Sequence, residues 1–274
     1  TCGFKTMTIP SHHTLLMTGA AGGLGQVMRS RLQANCKVLR LSDIGAMAPA
    51  QPGEEVVQAD LADAEAVMAM VAGCQAIVHF GGVSTEQPWE AVLPANIIGA
   101  YNLYEAARVH GVKRVVFASS NHVMGFYRQS EVVDAVSPPR PDGLYGLSKA
   151  FGEDLSRLYF DRYGIETACV RIGSSFPEPK DRRMLATWMS YDDLERLVLA
   201  SLSSPVVGYS VIYGMSDNHH VWWDNTPGKH IGYRPQDSSE PFRAAVEARQ
   251  PAWLDIQDPA VVYQGGGFVK AGPF

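Results

Sequence analysis

Long apolar runs are missing from this chain. Nothing approaches the ~18 residues that a membrane-spanning helix needs, and no secretory leader is visible. Cysteine is scarce: Cys2, Cys36, Cys74 and Cys169 are scattered and lack CxxC spacing. That sets aside a disulfide scaffold or thiolate metal site and suits reduced thiols in the cytoplasm. Positive charge is short as well, with 23 Lys and Arg against 28 Asp and Glu, a formal net charge of −5. A nucleic-acid or anionic-membrane surface is therefore not expected. The sequence also lacks repeats, low-complexity tracts and domain linkers. No metal site is expected either, because the adjacent pair His219-His220 has no Cys or carboxylate set around it.

What is present suits a large α/β unit. The 274 residues are 46% hydrophobic and 19% charged, enough apolar material for a sizeable core. Residues 7–274 are expected to form one dinucleotide-binding domain, in which 174–274 supply a substrate loop and a covering C-terminal segment. Thr1–Thr6 carry no pattern that continues into the first strand, and read as an addition ahead of a native start at Met7.

Strand and helix patterns alternate. Thr14–Met17 predicts a strand, and Gln26–Ala34 a helix with Val27, Met28, Arg31 and Leu32 at helical spacing. Between them, Gly19, Gly22 and Gly25 form a GxxGxxG turn. Strand, glycine turn and helix are the context that a dinucleotide fingerprint requires: Gly19 for the tight turn, Gly22 for approach of the pyrophosphate, Gly25 for close packing. The phosphates then sit at a helix N-terminus, where free N–H groups and the dipole favour anions. Val38–Leu41 predicts a second strand, and Asp43, 18 residues after Gly25, falls near where an acidic side chain holds the adenosine ribose hydroxyls. Its charge would repel a 2′-phosphate, so NAD is expected rather than NADP.

Further strands are predicted at Glu55–Ala59, Ala76–Phe80, Val112–Ala118, Glu166–Arg171 and Val206–Tyr213. Helices are predicted at Asp63–Val71 with Asp63 as N-cap, at Trp89–His110, Gly143–Tyr163 and Asp192–Leu202, and near Glu240–Ala248. Nearly continuous apolar strands alternating with helices argue for a Rossmann-type doubly wound parallel sheet. Active groups then belong at the C-terminal ends of the strands, where Ser84, Ser120, Asn121 and the glycine turn all fall. Tyr145 and Lys149 lie one helical turn apart and share a face. An ammonium beside a phenol, together with a bound cofactor's positive charge, favours the phenolate, which makes Tyr145 a candidate base.

The glycine turn, Ser120 placed 25 residues before Tyr145, and Tyr145-x-x-x-Lys149 resemble the extended short-chain dehydrogenase/reductase superfamily over Thr14–Arg171. Phe117-Ala118-Ser119-Ser120-Asn121-His122, Arg140-Pro141-Asp142-Gly143-Leu144-Tyr145-Gly146 and Arg171-Ile172-Gly173-Ser174 are more specific. With Pro177-Glu178-Pro179, Arg183-Met184-Leu185 and Trp222-Trp223-Asp224-Asn225, they are similar to the uronate dehydrogenase family across most of the chain. The resemblance implies NAD-dependent oxidation of C1 of galacturonate or glucuronate to an aldarolactone. It implies Ser84, Ser120, Asn121, His122, Ser174 and Arg183 around the sugar. It also implies Gly23, Leu24, Asp60, Leu61, the turn Phe80-Gly81-Gly82-Val83, Tyr145 and Lys149 on the cofactor.

The resemblance fits a bottom-up chemistry. Tyr145 takes the hydroxyl proton, Lys149 supports the phenolate, and Ser120 fixes the hydroxyl's angle. A uronate differs from a neutral sugar by its C6 carboxylate, and a guanidinium matches a carboxylate with two parallel hydrogen bonds, which points to Arg183. Two other functions share the motifs. A nucleotide-sugar epimerase or dehydratase uses the same Ser, Tyr and Lys, but needs a larger C-terminal domain than follows Arg183. A non-catalytic NAD sensor would keep the fold without turnover. By analogy with the superfamily, a homo-oligomer is expected.

Overall fold

The computed structural model describes residues 12–250 and 255–272. The proposed addition Thr1–Thr6 lies outside them. Seven strands, β1 (His12–Thr18), β2 (Cys36–Asp43), β3 (Glu54–Gln58), β4 (Ala76–His79), β5 (Arg114–Ser120), β7 (Glu166–Ile172) and β10 (Tyr209–Gly214), form one sheet. Its order is β10-β7-β5-β4-β1-β2-β3, and every pairing is parallel. Two short parallel pairs stand apart: β6 (Val133–Asp134) with β11 (Trp223–Asp224), and β8 (Ser174–Ser175) with β9 (Trp188–Met189). The short helix α6 (Met184–Thr187) leads directly into β9.

The sheet is covered on both faces, which is why its strands read as unbroken apolar runs; all of β4 is buried. Helices α1 (Gly23–Gln33) and α7 (Tyr191–Ser203) cover one face, around Leu15, Met28, Leu32, Leu39, Leu194 and Leu197. On the other lie α2 (Ala64–Val71), α4 (Gly99–Val109) and α5 (Leu144–Tyr163), around Leu16, Val67, Leu103, Tyr104, Val115 and Phe117. This is the Rossmann-type doubly wound architecture. Asp63 caps α2 as expected, accepting from Glu65 N and Ala66 N. No helix among the described residues is long and apolar enough to cross a membrane.

Two differences from expectation have physical causes. The predicted helix Trp89–His110 is not regular. It starts as α3 (Trp89–Val92), widens into a π-helical stretch at Leu93–Ile98, and resumes as α4. Pro94 has no N–H for the regular ladder, and the wider turn carries Asn96 inward. The last strand begins at Tyr209 rather than Val206, because Gly208 takes a positive φ of 57° that breaks extended pairing.

Strand order reverses between β1 and β4, so their C-terminal ends leave a crevice. Beneath it runs a buried polar network. Arg171 donates to both oxygens of Glu153 at 2.9 and 2.7 Å and to the Tyr213 hydroxyl, while Ser119 donates to Glu153 at 2.6 Å. This network ties β5, β7 and β10 to α5.

Candidate active site

A cavity of about 930 Å³ opens along the strand ends, and every residue proposed from sequence for cofactor or substrate lines it. Its first half is built by the glycine turn. Gly19 has φ 72°, and a Cβ there would lie 2.6 Å from the Phe80 carbonyl carbon, so β1 and β4 could not approach as they do. A Cβ on Gly25 would lie 2.1 Å from the Gly19 oxygen. Helix α1 starts with Gly22 as N-cap, with no capping side chain and no acid in its first turn. Its N-terminal N–H groups and dipole therefore have no intrinsic anionic partner, which suits a pyrophosphate beside Gly22, Gly23 and Leu24.

Asp43 ends β2 with its carboxylate pinned: one oxygen accepts from Ala21 N at 2.9 Å, the other from Gly45 N at 2.8 Å. Each oxygen keeps a lone pair for a ribose hydroxyl. Asp60 caps its own turn through Ala62 N, and the Leu61 carbonyl accepts from Asn102. The turn after β4 is held from two sides. Gly81 N donates to Thr18 Oγ1 at 3.2 Å, and Asn96 brackets Val83, accepting from its N–H at 2.7 Å and donating to its carbonyl at 3.1 Å. These fixed features fit a dinucleotide.

Tyr145 and Lys149 occupy the first two turns of α5, both buried. Burial pushes the Tyr145 phenol up to about 12; the Ser120 hydroxyl pulls it the other way, and the Asp142 carboxylate adds to the rise. Burial also lowers the Lys149 ammonium to about 8. Its Nζ lies 5.7 Å from the Tyr145 ring centroid and 5.4 Å from that of Phe117. In the chain alone, desolvation dominates at the phenol. The expectation that Lys149 and a bound cofactor's positive charge together favour the phenolate concerns the filled cavity.

The opposite half is polar. Ser84 lies on the exposed loop after β4. Asn121 spans the Ile172 carbonyl at 3.0 Å and an Arg183 Nη at 2.7 Å, which orients its amide with NH2 on the former and oxygen on the latter. Ser174 hydrogen-bonds Thr187 at 2.8 Å. His122 Nδ1 lies 2.7 Å from Asp142, and its ring stacks on Phe268 with centroids 3.8 Å apart. Burial lowers its pKa, Asp142 opposes this, and Arg183 adds to the lowering. Arg183 donates from Nε to the Gln264 carbonyl at 2.6 Å. Burial lowers its pKa as well, and among the described residues no carboxylate pairs with it.

Sequence reasoning missed Asp142, Gln264 and Phe268. Gln264 is fully buried: its side chain accepts from Trp223 Nε1 at 2.9 Å and donates to the carbonyls of Arg128 and Glu131. It lies where periodicity had faded, so no local signal marked it. Among the described residues, no group of three His, Cys, Asp or Glu side chains is placed to hold a metal.

The parallel order, glycine turn and Ser-Tyr-Lys arrangement define a class of dinucleotide-binding α/β proteins, and a model of the NAD dependent epimerase/dehydratase family matches residues 15–194. A Pseudomonas putida uronate dehydrogenase is 60% identical over 269 residues, 98% of this chain and 100% of that protein. A glucuronic acid dehydrogenase structure from Chromohalobacter salexigens superposes with a TM-score of 0.93 at 53% identity, covering 95% of this chain and 98% of that one. A variant of Agrobacterium tumefaciens uronate dehydrogenase complexed with NAD gives 0.92 at 53% identity, again over 95% and 98%. The chain belongs to the uronate dehydrogenase family.

Proposed function

We propose that this protein oxidises the anomeric C1 hydroxyl of a hexuronic acid, galacturonate or glucuronate, to the aldarolactone with NAD. The observation that carries the reading is Arg183, a cavity-lining guanidinium with no carboxylate partner of its own among the described residues. Burial costs this cation more than the Asp181 and Asp142 carboxylates, neither of them paired with it, give back; a substrate carboxylate would offset that cost with paired charge-assisted hydrogen bonds. Two of the five Arg183 N–H groups go to Gln264 and Asn121, leaving three for the ligand. The NAD-bound relative and the fixed Asp43 carboxylate support NAD as cofactor.

Bound NAD supplies a hydride acceptor and a positive charge near the phenol. Tyr145 takes the proton of the C1 hydroxyl as the C1–H bond gives up its hydride and C1 becomes the lactone carbonyl. Ser120 donates its hydroxyl proton to the oxygen of the same C1 hydroxyl and fixes its angle. The Lys149 ammonium stabilises the phenolate once the cavity is filled and water excluded. Ser84, Asn121, His122 and Ser174 address the sugar hydroxyls.

NADH formation measured side by side with galacturonate, glucuronate, glucose and UDP-glucose tests the reading. Turnover with the free uronates and not with the neutral or nucleotide sugars supports it. NAD binding without reduction by any sugar overturns it in favour of a sensor. The free thiols Cys36, Cys74 and Cys169 favour a cytoplasmic setting. Self-association belongs to the same reading, because Ile98, Tyr101, Leu147 and Leu158 expose apolar surface along the helices flanking the sheet. Light scattering checks it.

A further inference from the structure

Helix α5 begins after Gly143 and has no capping side chain of its own. Its first two N–H groups, from Leu144 and Tyr145, donate instead to the two oxygens of one carboxylate, Glu86, at 2.8 and 2.9 Å. Glu86 lies on the loop after β4, two positions beyond Ser84. A Cβ on Gly143 would stand 2.3 Å from Glu86 Oε2, so the glycine is what admits the carboxylate. The start of the same loop is tied to the same helix, because Asn96, which brackets Val83, also donates to Ser148 Oγ at 2.8 Å. Ser84 and Thr85, exposed and lining the cavity, therefore bridge two anchors that both lead to the helix of Tyr145.

We propose that Glu86 is a positioning residue that holds the Ser84 loop and the Tyr145 helix as one body, keeping the substrate-facing hydroxyl in register with the base. A carboxylate satisfies two orphan helix N–H groups at once and sits favourably at the positive end of the dipole. A carboxamide in its place accepts from one N–H and turns its own NH2 toward the other. The kinetic side of this inference rests on the uronate-oxidising reading; the mechanical side does not.

The test compares Glu86→Ala and Glu86→Gln with the wild type, in steady-state kinetics on galacturonate, NAD affinity and amide hydrogen exchange. In Glu86→Ala, KM for galacturonate rises roughly tenfold or more and kcat falls, because loop and base lose register. NAD affinity stays within about twofold, and Glu86→Gln falls between the two. The Val83 amide, which is bonded to Asn96 and not to Glu86, exchanges faster together with those of Leu144 and Tyr145. A lowered Tm with KM and kcat unchanged would mark a plain helix cap and overturn the proposal. So would faster exchange at Leu144 and Tyr145 with Val83 still protected. If the wild type oxidises no uronate, the functional reading fails, and the exchange experiment still decides whether loop and helix are coupled.

Discussion

If Arg183 holds the substrate carboxylate as proposed, Arg183→Ala separates substrate recognition from cofactor binding. Three guanidinium N–H groups remain after the bonds to Gln264 and Asn121, and two of them suffice for a bidentate grip on a carboxylate. Hydrogen bonds to charged groups contribute about 1.5–3 kcal/mol each, and truncating one member of a buried charge pair costs about 2–5 kcal/mol. A loss of about 4 kcal/mol in transition-state stabilisation corresponds to roughly a thousandfold drop in kcat/KM on galacturonate. Arg183→Lys keeps the charge and forfeits the planar fork, so a smaller loss, about 2 kcal/mol or roughly thirtyfold, is expected. NADH formation gives the kinetics, and fluorescence titration gives the NAD affinity, which should not change in either variant. Wild-type kcat/KM on galacturonate in Arg183→Ala would refute the reasoning. A matching loss of NAD affinity would also refute it, by moving Arg183 to the cofactor half.

Three further outcomes are expected. Tyr145→Phe should lower kcat by roughly 10²–10⁴-fold with NAD affinity retained, since general-base catalysis contributes on that scale; stopped-flow single turnovers check that the chemical step is the one slowed. The Lys149 pKa falls from 10.5 to about 8 on folding. The folded state therefore binds fewer protons than the unfolded state between those values, and stability rises with pH across that window and is flat below it. Lys149→Met should remove this slope and stabilise the unliganded protein at neutral pH by about 3 kcal/mol while abolishing activity; urea midpoints at pH 7 and pH 9.5 read both effects. Arg171→Met strands the buried Glu153 carboxylate and should cost about 3–5 kcal/mol of stability in urea, with much of it recovered by adding Glu153→Gln.

The part of the site that sequence revealed is the part that local pattern specifies. Glycines at 19, 22 and 25, the strand-end residues Ser84, Ser120 and Asn121, and the Tyr145–Lys149 turn all follow from periodicity and position along one element. All of them meet in a single cavity. Arg183 needed a chemical argument about carboxylates and a family resemblance. The contacts of Asp142, Glu86 and Gln264 were not legible because each acts across the fold: Asp142 on His122 20 residues away, Glu86 on Tyr145 59 away, Gln264 on Arg183 81 away. The π-helical stretch around Asn96 was missed although Pro94 marked it, since a helical apolar pattern dominates the window. Likewise, the proximity of Lys149 to Tyr145 is visible in sequence, whereas the desolvation that raises the phenol's pKa is a property of the packed interior.

The hold of Gln264 on Arg183 bears on the order in which the ribosome completes this site. The glycine turn, Asp43, Ser120, Tyr145, Lys149 and all but the outermost strand of the sheet are encoded by residue 172. The Arg183 guanidinium, proposed to meet the acid, is synthesised soon afterwards, but the carbonyl that fixes it and the Phe268 ring that stacks on His122 arrive only near the last of the described residues. On the proposed function, a nascent chain thus acquires the parts for gripping a dinucleotide well before those for choosing a sugar. The same separation gives evolution a distant handle: changes around Gln264 re-aim Arg183 without touching the residues that do the chemistry.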